Sequence, residues 1–123
     1  LGLGKIALKR GELKLAGALF EQALTLFQAI SKLPEIALAL SYLARLALAQ
    51  GQAQRTLALA GAAMTLFPAL PLYHLPFEQA EFEDTQANAR QLLNADAAEN
   101  AWELGQKLTL TEAVAYALEQ KRL

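Results

Sequence analysis

Two glycines set the frame for this chain. Gly11 and Gly51 lie 40 residues apart, and each follows a Leu- and Ala-rich run: LGKIALKR before Gly11, LARLALAQ before Gly51. Each is followed by a polar residue, Glu12 or Gln52. Glycine ends helices because it enters the left-handed conformation without a steric penalty. Each glycine therefore joins two helices in a tight hairpin. A lone hairpin cannot hide its apolar faces, and recurrence at a fixed spacing marks stacked helix pairs.

Composition narrows the class further. Hydrophobic residues make up 54% of the 123 residues, enough for one domain with a core and too many for a disordered chain. Leu and Ala are strong helix formers, and no period-two apolar run is present, so the expected class is all-α. The chain has no Cys, which excludes disulfides and thiolate chemistry. Residue 1 is Leu, and no basic-then-apolar leader precedes the first helix; the expectation is a piece of a longer polypeptide in the cytoplasm.

The expected helices run over about 3–10, 12–30, 35–50, 53–67, 77–94, 96–104 and 110–120. In the second, Leu13, Ala16, Phe20, Ala23, Phe27 and Ile30 form one apolar stripe, and Leu15, Leu19 and Leu26 form another beside it. Two stripes predict contact with a hairpin partner and with the next repeat. The third helix is apolar nearly all round. Its 14-residue run IALALSYLARLALA contains Arg45 and is shorter than the roughly 20 residues of a membrane span, so a buried inter-repeat helix is expected. Pro68, Pro71 and Pro76 break the chain after the fourth helix. Two long hairpins over 1–70 and three capping helices over 71–123 are the expected organisation. Gly105 is expected to stop the sixth helix, and Thr109 to Glu112 matches a capping box for the seventh.

The hairpins resemble the tetratricopeptide repeat. Leu3-Gly4, Ala7, Gly11-Glu12-Leu13, Ala16, Phe20 and Ala23-Leu24 fit its pattern. The second copy is Leu43-Ala44, Ala47, Gly51-Gln52-Ala53, Thr56, Ala60 and Ala63, at a spacing longer than the usual repeat of about 34 residues. The chain as a whole resembles the C-terminal region of bacterial LuxR-family and transcriptional-activator-type signalling ATPases. The residues that carry this likeness are LALAQGQAQRTLALAGAA, the Pro-containing loop, Ala101-Trp102, Gly105, Leu108-Thr109 and Glu112-Ala113-Val114 through Leu118. The resemblance implies a tetratricopeptide-like α-α superhelix. It implies a non-catalytic, partner- or ligand-sensing module in a cytoplasmic regulator of transcription or signalling. Catalytic and DNA-binding domains would lie outside this chain.

Charge is unevenly spread although the net is −1. Residues 1–70 carry +4, and residues 71–123 carry −5. Registering the repeats on the two glycines puts Lys5 and Arg45 at equivalent places, with Ser41 and Arg45 four apart on one face of an apolar helix. Polar groups there must meet water or a ligand. In tetratricopeptide repeats the first helix of each pair lines the concave surface, so Lys5, Lys9, Ser41 and Arg45 are the candidate groove for a protein or peptide partner carrying acidic groups. Other domains of the same polypeptide are candidate partners too, and a homodimer is the alternative.

Other groups carry less. His74 is the single histidine, with no Cys and no Glu-x-x-His, so no metal site and no cofactor is expected. Glu78, Glu81, Glu83 and Asp84 read as an exposed acidic first turn that offsets a helix dipole. A hydrolase using this cluster with His74 is the rival reading, although no local nucleophile–base pair supports it. Trp102 and Tyr116 are expected in the cap, with Trp102 packed in its core. Basic and aromatic residues do not interleave, so nucleic acid is not an expected partner; no membrane association is expected either.

Overall fold

The turns explain the architecture. In the computed structural model, which describes residues 1–119, Gly11 and Gly51 both sit at φ 77°. The bonds around them match as well. Gly11 N–H and Glu12 N–H donate to Leu8 and Ala7 carbonyls, as Gly51 N–H and Gln52 N–H donate to Leu48 and Ala47 carbonyls. This double bond pattern, with a left-handed residue just past the helix, is the Schellman motif. A third copy stands between the glycines. Ser31 adopts φ 54°, and Ser31 and Lys32 N–H groups donate to Gln28 and Phe27 carbonyls. The turn thus recurs every 20 residues, at 11, 31 and 51.

Among the described residues the chain is all α-helical, with no strand. The helices are α1 (Gly2–Lys9), α2 (Leu13–Ala29), α3 (Leu33–Ala49), α4 (Ala53–Leu66), α5 (Pro76–Gln91), α6 (Ala95–Lys107) and α7 (Leu110–Leu118). A short 3-10 turn, Leu70–Leu72, lies in the proline-rich connection before α5. Pro34 and Pro76 stand in the first turns of α3 and α5, where a missing N–H leaves no bond unmade. Thr109 accepts the Glu112 N–H at 3.2 Å while Glu112 accepts the Thr109 N–H at 2.9 Å, the capping box read from the sequence.

Helices α1 to α4 pack consecutively, each against the next. The apolar α3 is central and also touches α5 and α7. Its Ile36, Leu40, Leu43 and Leu46 are fully buried with Phe20 and Leu24 of α2 and Leu57 and Leu59 of α4. Gly4 lets α1 approach the Phe20 ring; a Cβ there would come within 2.5 Å of it. No helix among the described residues is long and apolar enough to cross a membrane.

Two expectations need correction. Gly105 does not stop α6, which continues to Lys107. A Cβ at Gly105 would overlap the Ala58 carbonyl, and one at Gly61 would lie 2.7 Å from the Trp102 carbonyl oxygen. These glycines are the points where α4 and α6 cross in contact. The second stripe of α2 is also not fully covered. Leu19 packs against the core, but Leu15 and Leu26 are 49% and 58% exposed. α3 takes the Ala16, Phe20 and Leu24 face, and α7 reaches only part of the rest, leaving a groove between Leu26 and Leu118.

Candidate functional site

The four residues read as a partner groove all meet one segment, residues 74–81, at the start of α5. Lys5 Nζ lies 2.5 Å from Glu78 Oε2. Arg45 donates to Glu81 Oε2 at 3.0 Å. The Ser41 hydroxyl lies 3.2 Å from His74 Nε2. Lys9 Nζ stands over the Phe77 ring, 5.9 Å from its centre. The structure thus brings Lys5, Lys9, Ser41 and Arg45 to one junction, and α5 lies across it.

Glu78 is the hub. Its Oε2 accepts from both the Lys5 ammonium and the Tyr42 hydroxyl, the latter at 3.0 Å. Its Oε1 accepts the Leu75 N–H at 3.3 Å, satisfying one backbone donor at the head of α5. Tyr42 is held in place by stacking on Phe20, with ring centres 5.7 Å apart. The exposed acidic turn expected from sequence is therefore wrong for Glu78, which is buried. Glu83 and Asp84 are exposed, and Glu81 is intermediate.

The charges respond to this contact. The hydrogen bond from Lys5 to Glu78 raises the Lys5 ammonium above its ordinary value, against the opposing effect of burial. Burial raises the Tyr42 phenol, and the Glu78 carboxylate raises it further. Burial alone would raise Glu78, but the Lys5, Tyr42 and Leu75 hydrogen bonds outweigh it and hold the carboxyl below its ordinary value. A carboxylate that receives several donors stays ionised even when covered.

A second chain of bonds runs alongside. His74 Nδ1 meets Gln79 Oε1 at 2.8 Å, and Gln79 Nε2 donates to Glu83 at 3.1 Å. The Glu83 carboxylate only accepts, so the Gln79 amide nitrogen must face it and the amide oxygen must face His74. Nδ1 then carries the proton. Nε2 faces the Ser41 hydroxyl, whose own proton is donated to the Leu38 carbonyl at 2.7 Å. His74 is buried between Tyr42 and Phe82, with ring centres at 6.1 and 5.4 Å, rather than standing on the surface of a loop.

Sequence reading found no nucleophile–base pair; the fold brings Ser41, His74 and Gln79 into one chain of contacts, with the Ser41 proton given to the Leu38 carbonyl. Ser41 is 1% exposed, inside α3 between buried Leu40 and Tyr42. Reaction would need space for a substrate carbonyl about 3 Å from the hydroxyl. The trio instead staples α3 to the entry of α5. Among the described residues, no group of three His, Cys, Asp or Glu side chains is placed to hold a metal ion.

A pocket of about 160 Å³ remains open beside the junction, lined by Ile6 and Phe77 on its apolar side and by Lys5, Lys9, Arg45, Glu78 and Glu81 on its charged side. Sequence reasoning missed Tyr42, Phe77 and Gln79, each of which reads locally as ordinary helix packing or polar surface. On the far side of the molecule, the buried Arg55 donates to the Tyr116 and Ala117 carbonyls at 3.1 and 2.7 Å and caps the last turn of α7. Trp102 is half-buried between Gly61 and the Arg90 guanidinium, which lies 5.3 Å from the indole.

No protein-family model, curated protein or solved structure matches the chain. The junction itself is what bears on function.

Proposed function

We propose that this chain is a non-catalytic protein-interaction module, a short tetratricopeptide-like α-α array within a larger bacterial regulator of transcription or signalling. The recurring Schellman turn supports the array: identical turns at fixed spacing give consecutive helices the same packing offset. The proposed cellular setting is the cytoplasm, and the proposed partner is a protein or peptide segment, including other domains of the same polypeptide.

One observation carries the reading. A row of large apolar side chains stands uncovered beside the junction. Leu72 is 85% exposed and Phe77 56%, with Leu75, Tyr73 and the α1 residues Leu3 and Ile6 also exposed. Exposed apolar surface clustered in this way marks sites of protein contact. Lys9 borders it and, among the described residues, makes no ion pair. An amphipathic segment with an acidic group suits such a surface. The hydrolase reading needs Glu78, Glu81 and His74 in one pocket, and the pocket at the junction is lined by the two carboxylates without the histidine.

The test is fluorescence anisotropy with labelled helical peptides, acidic and neutral, added to the purified chain. Binding of the acidic members that Lys9→Glu and Phe77→Ser weaken supports the proposal. Turnover of ester, peptide or phosphate substrates by the same preparation contradicts it.

The open α2 stripe at Leu15 and Leu26 favours a second reading, self-association. Concentration-dependent light scattering separates the two: a constant monomer mass removes the dimer.

A further inference from the structure

We infer that α5 occupies the partner groove in cis, and that the partner is an acidic amphipathic helix that competes with α5 for Lys5, Tyr42 and Arg45. This rests on the interaction reading above and names the ligand it would take. Along α5, Phe77, Glu78 and Glu81 meet Lys9, Lys5 with Tyr42, and Arg45 in turn. The pattern is an aromatic residue, an acidic residue beside it and a second acidic residue one turn on. A partner helix that reproduces it would find the same three cations and the same tyrosine hydroxyl, the helix-in-groove mode of recognition.

Three features make the occupancy reversible. First, each ion pair reaches solvent at one end: the Lys5 and Glu81 side chains are 33% and 37% exposed, and their partners Glu78 and Arg45 are 8% and 17% exposed. Salt screens the exposed ends. Second, α5 is held through one narrow stripe, Glu78, Phe82, Thr85 and Ala89, and the rest of the helix is intermediate or exposed. Third, the α4–α6 seam forms through Gly61, Gly105 and Ala58 without α5. The connection from Phe67 to Leu93 has 27 residues, which reach about 90 Å when extended, so α5 can leave while α6 stays seated on α4. The charge asymmetry of the chain, basic up to residue 70 and acidic beyond, is then the asymmetry of a receptor and its tethered ligand.

The experiment uses the full chain and a fluorescein-labelled peptide of residues 74–91, followed by anisotropy, with circular dichroism to verify folding. A groove that is mostly filled in cis reduces apparent affinity by the fraction of chains in which it is open. Glu78→Gln with Glu81→Gln weakens the tethered contact and leaves the receptor residues intact. The expected result is peptide binding about tenfold tighter than to the wild type. Adding Lys5→Glu and Arg45→Glu to that background should abolish it. A folded E78Q/E81Q chain that binds the peptide no more tightly than wild type overturns the inference. If the double variant does not fold, Glu81→Gln alone carries the same comparison with a smaller expected gain, and unchanged affinity again overturns it. Should unrelated acidic helices bind wild type through Lys9 while this peptide shows no gain in either variant, cis occupancy falls and the interaction module stands. Absence of binding by any acidic helix to any variant removes both.

Discussion

Lys5 and Glu78 stand 73 positions apart in the chain, and their charged groups meet at 2.5 Å. The pair ties the first helix to the fifth across the Tyr42 hydroxyl of the third. The folded chain thus brings its basic and acidic halves together at the Glu78 and Glu81 carboxylates.

Glu78→Gln should lower stability at neutral pH by about 1–2 kcal/mol, since the buried hub loses a charge-assisted bond while the Lys5 end is partly solvated. The sign with pH follows from the direction of the shift. The folded Glu78 carboxyl ionises below its ordinary value of 4.5, so its contribution is complete above that value and is lost as pH falls through the lower folded value. The difference between wild type and variant in urea melts should close in acid. Lys5 is raised, so its share is complete below 10.5 and fades as pH rises through its folded value. A stability difference that stays constant from neutral pH to acid would show that the carboxylate is not held by these donors.

Ser31→Gly should stabilise the chain. Ser31 holds φ 54° at the same turn position where Gly11 and Gly51 hold 77°. A non-glycine residue costs about 1–2 kcal/mol there, and glycine gives back part of that through its freer unfolded chain. The expected gain is up to about 1 kcal/mol in the urea midpoint. A lowered midpoint would mean that the Ser31 turn is not equivalent to the other two.

Gly105→Ala should cost about 1–3 kcal/mol or more, because the added Cβ overlaps the Ala58 carbonyl, which belongs to helix backbone and cannot swing aside. Gly2→Ala, where a Cβ meets nothing within 4 Å, is the control and should be near neutral. Thermal melts of the two compare them directly.

Arg55→Met should loosen α7. The guanidinium satisfies the Tyr116 and Ala117 carbonyls and stacks 5.1 Å from the Tyr116 ring. Its loss leaves buried acceptors unmade, at about 1–3 kcal/mol. Hydrogen exchange should quicken at α7 amides and stay slow in α3. Unchanged α7 protection would contradict the capping role.

Much of the fold could be read from local pattern because helix ends are local events. Gly11, Gly51, Pro34 and the Thr109–Glu112 box each act within four residues of themselves, and each marks a helix end in the structure. Ser31 escaped notice as a third copy of the turn because serine carries no left-handed signature; its neighbours impose the conformation. Gly105 misled for the opposite reason. It looks like a stop, and its role is to admit a backbone from a helix some 40 residues earlier. Lys5, Lys9, Ser41 and Arg45 could be picked out as polar groups on apolar helices. What they meet could not, since Glu78 and His74 are brought to them by tertiary packing alone. For the same reason the acidic turn read as solvated.

The most direct measurement is a double-mutant cycle on unfolding with Lys5→Met and Glu78→Gln. If the early helices and α5 are joined at this junction, the two substitutions couple by several tenths to about 1 kcal/mol, and the coupling shrinks with added salt. A coupling indistinguishable from zero, with both single variants folded, would contradict the arrangement of α5 across α1 and α3.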